Sequence, residues 1–188
     1  NITQIPAYGP LPVSVPGCVD GWFEMHKKFG NISMNKILNP AISYAENGFP
    51  VTELVSYYMN VAGKNFNNYP NFKETYHVDG TTPKKGQIFK NEYLANTLKI
   101  IAKKGRKGFY EGEIAKTISN FMMDQGGFLS DDDLKNHKSD WIEPVSTNYR
   151  GYDVWELPPN GQGIAALQML NLLEKFDIKS MGFGSAEC

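Results

Sequence analysis

The sequence predicts an α+β protein, predominantly helical with one β-hairpin, on three observations. Between about residues 20 and 136, apolar side chains return at the three- and four-residue spacing of helices. Residues 144–157 switch to strand-like runs on either side of Arg150-Gly151. A segment apolar on almost every side then begins at Ile164. A chain of 188 residues is long enough to bury a core without dividing, so one domain over 1–188 is expected.

Taken in order, Pro6, Pro10, Pro12 and Pro16 with Gly9 and Gly17 leave no room for a helix, so the N-terminal arm should run extended. Trp22, Phe23, His26 and Phe29 fall at helical spacing from Asp20, with Gly30 as the stop. Ser33 is placed to cap a second helix, which Pro40 should kink or split and Gly48 should end. Thr52 caps a third, whose buried face is expected to be Leu54, Val55, Tyr58, Val61 and Ala62.

The stretch from about Asn65 to Lys90, rich in Asn, Pro, Gly and Lys, reads as a long loop with short extended pieces; loops of that length are functional, mobile or covered by other polypeptide. Asn91 opens a helix that turns Leu94, Ala95, Leu98, Ile101 and Ala102 inward and closes at Gly105. Another runs from about Gly112 to Gln125, and Ser130 with Asp133 caps a shorter one. Pro144–Tyr149 and Tyr152–Leu157 form the hairpin, and Pro158-Pro159 ends its second strand. The helix after Asn160-Gly161-Gln162-Gly163 should be deeply buried, because Ile164, Leu167, Leu170 and Leu173 leave it no polar side.

Nineteen basic against 20 acidic residues give no electrostatic footprint for nucleic acid, and Lys103-Lys104-Gly105-Arg106-Lys107 reads as a solvated helix end. No apolar stretch approaches the roughly 20 residues that cross a bilayer, so no membrane segment is expected. The three histidines His26, His77 and His137 are far apart and lack the i, i+4 companion of a metal-binding helix. They read as surface or half-buried structural residues. Cys18 with His26 as base is a conceivable nucleophilic pair, but Val15, Val19 and Trp22 around it favour an inert buried thiol. Asp131-Asp132-Asp133 lacks the alternation and glycine of a calcium loop and suits a helix's first turn. Neither a metal nor a cofactor is expected.

Asn160, Gly161, Gln162 and Gly163 are the candidate binding residues. Glycines between a strand end and a helix N-terminus expose backbone N–H groups that can hold an anion or a developing oxyanion, and Asn160 and Gln162 add side-chain donors. A simple strand-to-helix turn is the alternative.

Several segments in succession resemble the gamma-glutamyltransferase family, also called gamma-glutamyltranspeptidase or glutathione hydrolase. They are Val13-Ser14-Val15-Pro16-Gly17 through Gly21-Trp22, Leu38-Asn39-Pro40-Ala41-Ile42 through Gly48-Phe49-Pro50-Val51, and Gly108-Phe109-Tyr110-Glu111-Gly112. Gly126-Gly127-Phe128-Leu129 with Asp133-Leu134, Tyr149-Arg150-Gly151-Tyr152, and Pro158-Pro159 through Leu170-Asn171-Leu172-Leu173-Glu174 follow in the family's order. The resemblance implies a precursor of the N-terminal-nucleophile hydrolase class that cleaves itself into two subunits around an αββα sandwich. The new N-terminal Thr of the small subunit is then the nucleophile and its own amine the base, acting on a gamma-glutamyl compound or another amide.

By the same resemblance these residues are an interior part of the large subunit, with the remainder of the precursor as partner and no catalytic residue of their own. Exposed apolar faces, above all around residues 164–176, are then expected, and with them self-association into a homo-oligomer. One departure concerns substrate: where typical transferases resemble Pro-Pro-Pro-Ser-Ser-Gly-Gly, Asn160-Gly161-Gln162-Gly163 looks more like acylase or amidohydrolase branches. A different reading of the same chain is a non-catalytic helical interaction module that uses the Asn65–Lys90 loop.

Overall fold

The computed structural model describes residues 3–187; Asn1, Ile2 and Cys188 lie outside the described residues. The fold is α+β and mostly helical, as the periodicities require. The chain groups into two compact units, Asn1–Ser139 and Asp140–Cys188.

In the first unit the described part of the arm, residues 3–17, contains no helix. Helix α1 spans Cys18–Phe29 and α2 spans Met34–Asn47. Ser33 stands at the N-cap of α2 but its side chain makes no capping bond, and Pro40 does not split the helix. The carbonyl left without a donor by Pro40 is that of Lys36, on the exposed side, where water can satisfy it. Gly48 ends α2 with φ at 87°, a conformation that favours glycine.

Strand β1 (Phe49–Pro50) pairs antiparallel with β2 (Ile88–Phe89), which ties the far end of the long Asn-rich stretch back to the segment just before α3. Between them lie α3 (Glu53–Phe66), capped by the Thr52 hydroxyl accepting from the Val55 amide at 3.3 Å, and α4 (Phe72–Tyr76). The supposed loop is therefore partly ordered. The Ser56 hydroxyl donates to the Pro83 carbonyl at 2.8 Å, and the Val51 amide donates to the Gln87 carbonyl at 2.9 Å.

Helix α5 (Glu92–Lys104) is capped by Asn91, whose side-chain oxygen accepts from the Leu94 amide at 2.9 Å. It packs on α2 and buries Ala95, Leu98 and Ile101, while Leu94, expected inward, is exposed. Gly105, with φ at 67°, stops α5 and starts α6 (Arg106–Tyr110), a short helix where the sequence shows only a basic helix end. Helices α7 (Glu113–Asp124) and α8 (Asp131–Asn136) follow, the latter closed by a reciprocal capping box between Ser130 and Asp133. Ile101, Tyr110 and Leu134 lie at the centre of the core that these helices share with Val19, Leu38 and Met122.

Helix α3 departs from expectation. Its predicted inner face is open: Leu54 and Tyr58 are 63% and 62% exposed, and Val55 and Val61 are only partly covered. Leu54, Val55 and Tyr58, together with Phe66, line an apolar groove of about 1130 Å³, opposite Ile118, Phe121 and Met122 of α7 and beside Pro10, Tyr69, Phe72 and Tyr76.

The second unit is a hairpin with a helix laid on it. Strands β3 (Val145–Tyr149) and β4 (Tyr152–Glu156) pair antiparallel with Thr147 opposite Val154 and Tyr149 opposite Tyr152. Arg150 and Gly151 take φ of 52° and 86°, the two left-handed residues of a tight hairpin turn. Helix α9 (Gly163–Leu173) returns against both strands, and α10 (Ile178–Met181) follows behind its Asp177 cap. Within the described residues α9 is not deeply buried: Leu167 is covered, while Ile164, Met169, Leu172 and Leu173 are exposed. An all-round apolar helix needs cover on more sides than one hairpin provides.

Candidate functional site

The candidate residues sit where β4 hands over to α9. The hairpin fixes this junction from the far end of the helix as well. The Thr147 hydroxyl donates to the Asn171 side chain, the Arg150 amide donates to the Glu174 carboxylate at 3.1 Å, and the Arg150 guanidinium donates to the Phe176 carbonyl at 2.9 Å. Pro158-Pro159 then carries the chain away from the ladder.

Asn160, Gly161 and Gln162 are all exposed, whereas Gly163 is half-buried. The two glycines differ. A Cβ on Gly163 would lie 2.7 Å from the Glu156 Cβ and 2.9 Å from the Leu157 carbonyl oxygen, so the close approach of α9 to β4 excludes a side chain there. At Gly161 a Cβ would meet nothing within 4 Å. The Gln162 carbonyl accepts from the Ala165 amide at 3.0 Å, and no side chain caps the helix. Uncapped first-turn amides at the positive end of a helix are chemically suited to receive an anion, with the Asn160 and Gln162 side chains exposed beside them.

The other sequence candidates are accounted for structurally. Cys18 is exposed rather than buried: it is the first residue of α1, while Val19, Trp22 and Phe23 further along the helix pack towards the core. It does not pair with His26, which is eight residues along the same helix, about 12 Å at the ordinary helical rise. The His26 Nε2 instead meets the Ile32 carbonyl at 2.6 Å. His77 is held by the Asn67 side-chain oxygen at 3.0 Å and the Gly80 carbonyl at 3.2 Å. The His137 ring stacks on Tyr110 with centroids 5.6 Å apart. Asp133 is drawn into the Ser130 cap, whose hydrogen bonds hold its carboxyl below the usual carboxylate range. Among the described residues no group of three His, Cys, Asp or Glu is placed to hold a metal ion.

No spacing in the sequence points to the polar cluster around Asp20, a carboxylate only 4% exposed. One of its oxygens accepts from the Arg106 Nε and the other from the Ser139 amide at 2.6 Å. The Arg106 Nη2 also donates to the His137 carbonyl. The Asp20 amide donates to the Tyr110 hydroxyl at 3.1 Å, which in turn donates to the Pro16 carbonyl at 2.7 Å. Burial alone would raise the Asp20 carboxyl, but hydrogen bonds from Ser139 and Arg106 and the Arg106 charge outweigh it and hold it below the ordinary range. Burial pushes the Tyr110 hydroxyl up, keeping it a neutral donor.

Compared with known proteins, residues 1–188 match the family model described as gamma-glutamyltranspeptidase over their whole length. The chain belongs to the gamma-glutamyltranspeptidase family. It is 38% identical over 175 residues to the glutathione hydrolase-like YwrD proenzyme of Bacillus subtilis (strain 168), covering 93% of this chain and 33% of that protein. Among solved structures it resembles the gamma-glutamyltranspeptidase of Helicobacter pylori, with a TM-score of 0.89 and 31% identity over 98% of this chain and 54% of that one. It also resembles the cephalosporin acylase of Bacillus halodurans, with a TM-score of 0.88 and 39% identity over 93% of this chain and 34% of that one. The chain thus spans about a third of the length of the proenzymes it matches. The α+β fold expected from the resemblance is the fold observed.

Proposed function

We propose that these residues are a large-subunit portion of an amide hydrolase or transferase of the gamma-glutamyltranspeptidase family. The nucleophile in this reading is a Thr outside this chain, whose hydroxyl attacks the amide carbonyl, expels the amine and leaves an acyl-enzyme that water or an acceptor amine resolves. The observation that carries the proposal is the family match over residues 1–188. The partner is the remainder of the precursor, and its packing would cover α9.

Within that enzyme we place Asn160, Gly161, Gln162 and Gly163 at the edge of the substrate site, with the first-turn amides of α9 as donors to a carboxylate or developing oxyanion. The departure from Pro-Pro-Pro-Ser-Ser-Gly-Gly and the likeness to a cephalosporin acylase favour an amide other than a gamma-glutamyl one. The test is kinetic. In the complete precursor, Asn160→Ser with Gln162→Ser should raise KM for the preferred amide by about tenfold, the scale of one or two lost hydrogen bonds. Unchanged kinetics on glutathione and on other acyl amides would reduce the loop to a plain turn. Release of product from a gamma-glutamyl anilide by the 188-residue chain alone would overturn the outside nucleophile.

A further inference from the structure

We propose that Asp20, Arg106, Tyr110 and Ser139 form an interlock that makes the end of the N-terminal arm and the 137–139 segment open and close as one cooperative element. Four stretches of chain meet at this cluster, and every bond between them joins residues 86 to 119 positions apart, apart from the shorter Arg106–His137 link of 31. The bonds share their atoms. The Tyr110 hydroxyl receives the Asp20 amide and passes its own proton to Pro16; the Asp20 carboxylate holds Ser139 and Arg106; Arg106 reaches on to the His137 carbonyl.

Packing repeats the same pattern. The Arg106 guanidinium lies 4.6 Å from the centre of the Tyr110 ring, and the His137 ring stacks on that ring as well. Gly17, at the arm's end, approaches so closely that a Cβ there would lie 2.9 Å from the His137 Nε2. That nitrogen is buried without a hydrogen-bond partner, so the imidazole is held in place by stacking and by the backbone around it. Moving the arm removes the floor under His137, and moving residues 137–139 strips Asp20 of a donor. A buried carboxylate that loses one donor is left a poorly compensated charge, so the closed arrangement as a whole becomes less favourable than the open, hydrated one.

Cooperativity predicts an effect at a distance, which separates an interlock from two independent attachments. Hydrogen exchange of individual amides in the complete protein reads it, with the Leu98 and Ile101 amides of α5 as the internal reference. Tyr110→Phe keeps the ring and removes only the hydroxyl that serves Pro16 and Asp20. It should nevertheless speed exchange at the Ser139 amide at least tenfold while the α5 amides stay within twofold. Asp20→Asn, which sets a donor amide against a donor, should do the same at both Asp20 and Ser139. Acceleration confined to the Asp20 amide in Tyr110→Phe would overturn the proposal. Should Asp20→Asn unfold the chain, Tyr110→Phe carries the same two readings on its own.

Discussion

Helices α3 and α5 belong to the same unit and carry nearly the same message. Each starts at a side-chain cap, from Thr52 and Asn91, and each repeats apolar residues along one side. Yet Ala95 and Ile101 of α5 are 1% exposed against α2, while Leu54 and Tyr58 of α3 look into an open groove. Periodicity reports that a helix owns an apolar side. It does not report whether the cover for that side is encoded in the same stretch of polypeptide.

The comparison breaks most sharply on truncation of one side chain from each helix. Ile101→Ala removes atoms from a closed core and should cost about 4 kcal/mol in urea unfolding of the 188-residue chain. Tyr58→Ala should stay within about 0.5 kcal/mol. An equal loss at Tyr58 would mean that the groove is filled in solution and the contrast false.

A somewhat smaller effect is expected at the charge beside the core. Asp20→Ala removes the close, buried carboxylate of Arg106, leaving it only Glu111 at 3.8 Å, and should cost about 3 kcal/mol. The sign with pH follows from a carboxyl held below its ordinary range in the folded chain. The stabilisation is complete above the unfolded value, about 3.9, and is lost as pH falls through the lower folded one. Unfolding midpoints measured from pH 6 down to pH 2 should therefore fall less steeply at the acid end in Asp20→Asn than in the parent; parallel curves would refute the assignment.

The smallest effect separates the two caps. Asn91→Ala should lower global stability by about 1 kcal/mol, because α5 opens only with the core. Thr52→Ala should leave the global midpoint within about 0.5 kcal/mol and instead speed exchange of the α3 amides locally. Equal global losses would show α3 to be as tightly integrated as α5.

Much of this architecture is readable from local chemistry. Gly48 and Gly105 mark helix ends because the chain there takes a conformation that side chains resist, and Arg150-Gly151 marks the hairpin for the same reason. Helix α6 escapes notice because five residues of Arg, Lys, Gly and two aromatics hold no period to detect. The Asp20 cluster escapes for a different reason: its partners are far apart along the chain, and no spacing rule joins Pro16, Tyr110 and Ser139. Apolar neighbours in sequence do not bury Cys18, because it stands at the first residue of α1, where the helix has only begun to pack. Of the site, the position of residues 160–163 between strand and helix was legible, and the contrast between its two glycines was not.

That contrast has a practical side. The backbone contact at Gly163 anchors the start of α9 against Glu156 and Leu157, while a side chain at Gly161 would meet nothing within 4 Å and Asn160 and Gln162 are exposed. Asn160, Gly161 and Gln162 can therefore be exchanged, singly or as a cassette, for those of a related enzyme with little risk to the scaffold, which makes this tip a natural place to graft new selectivity.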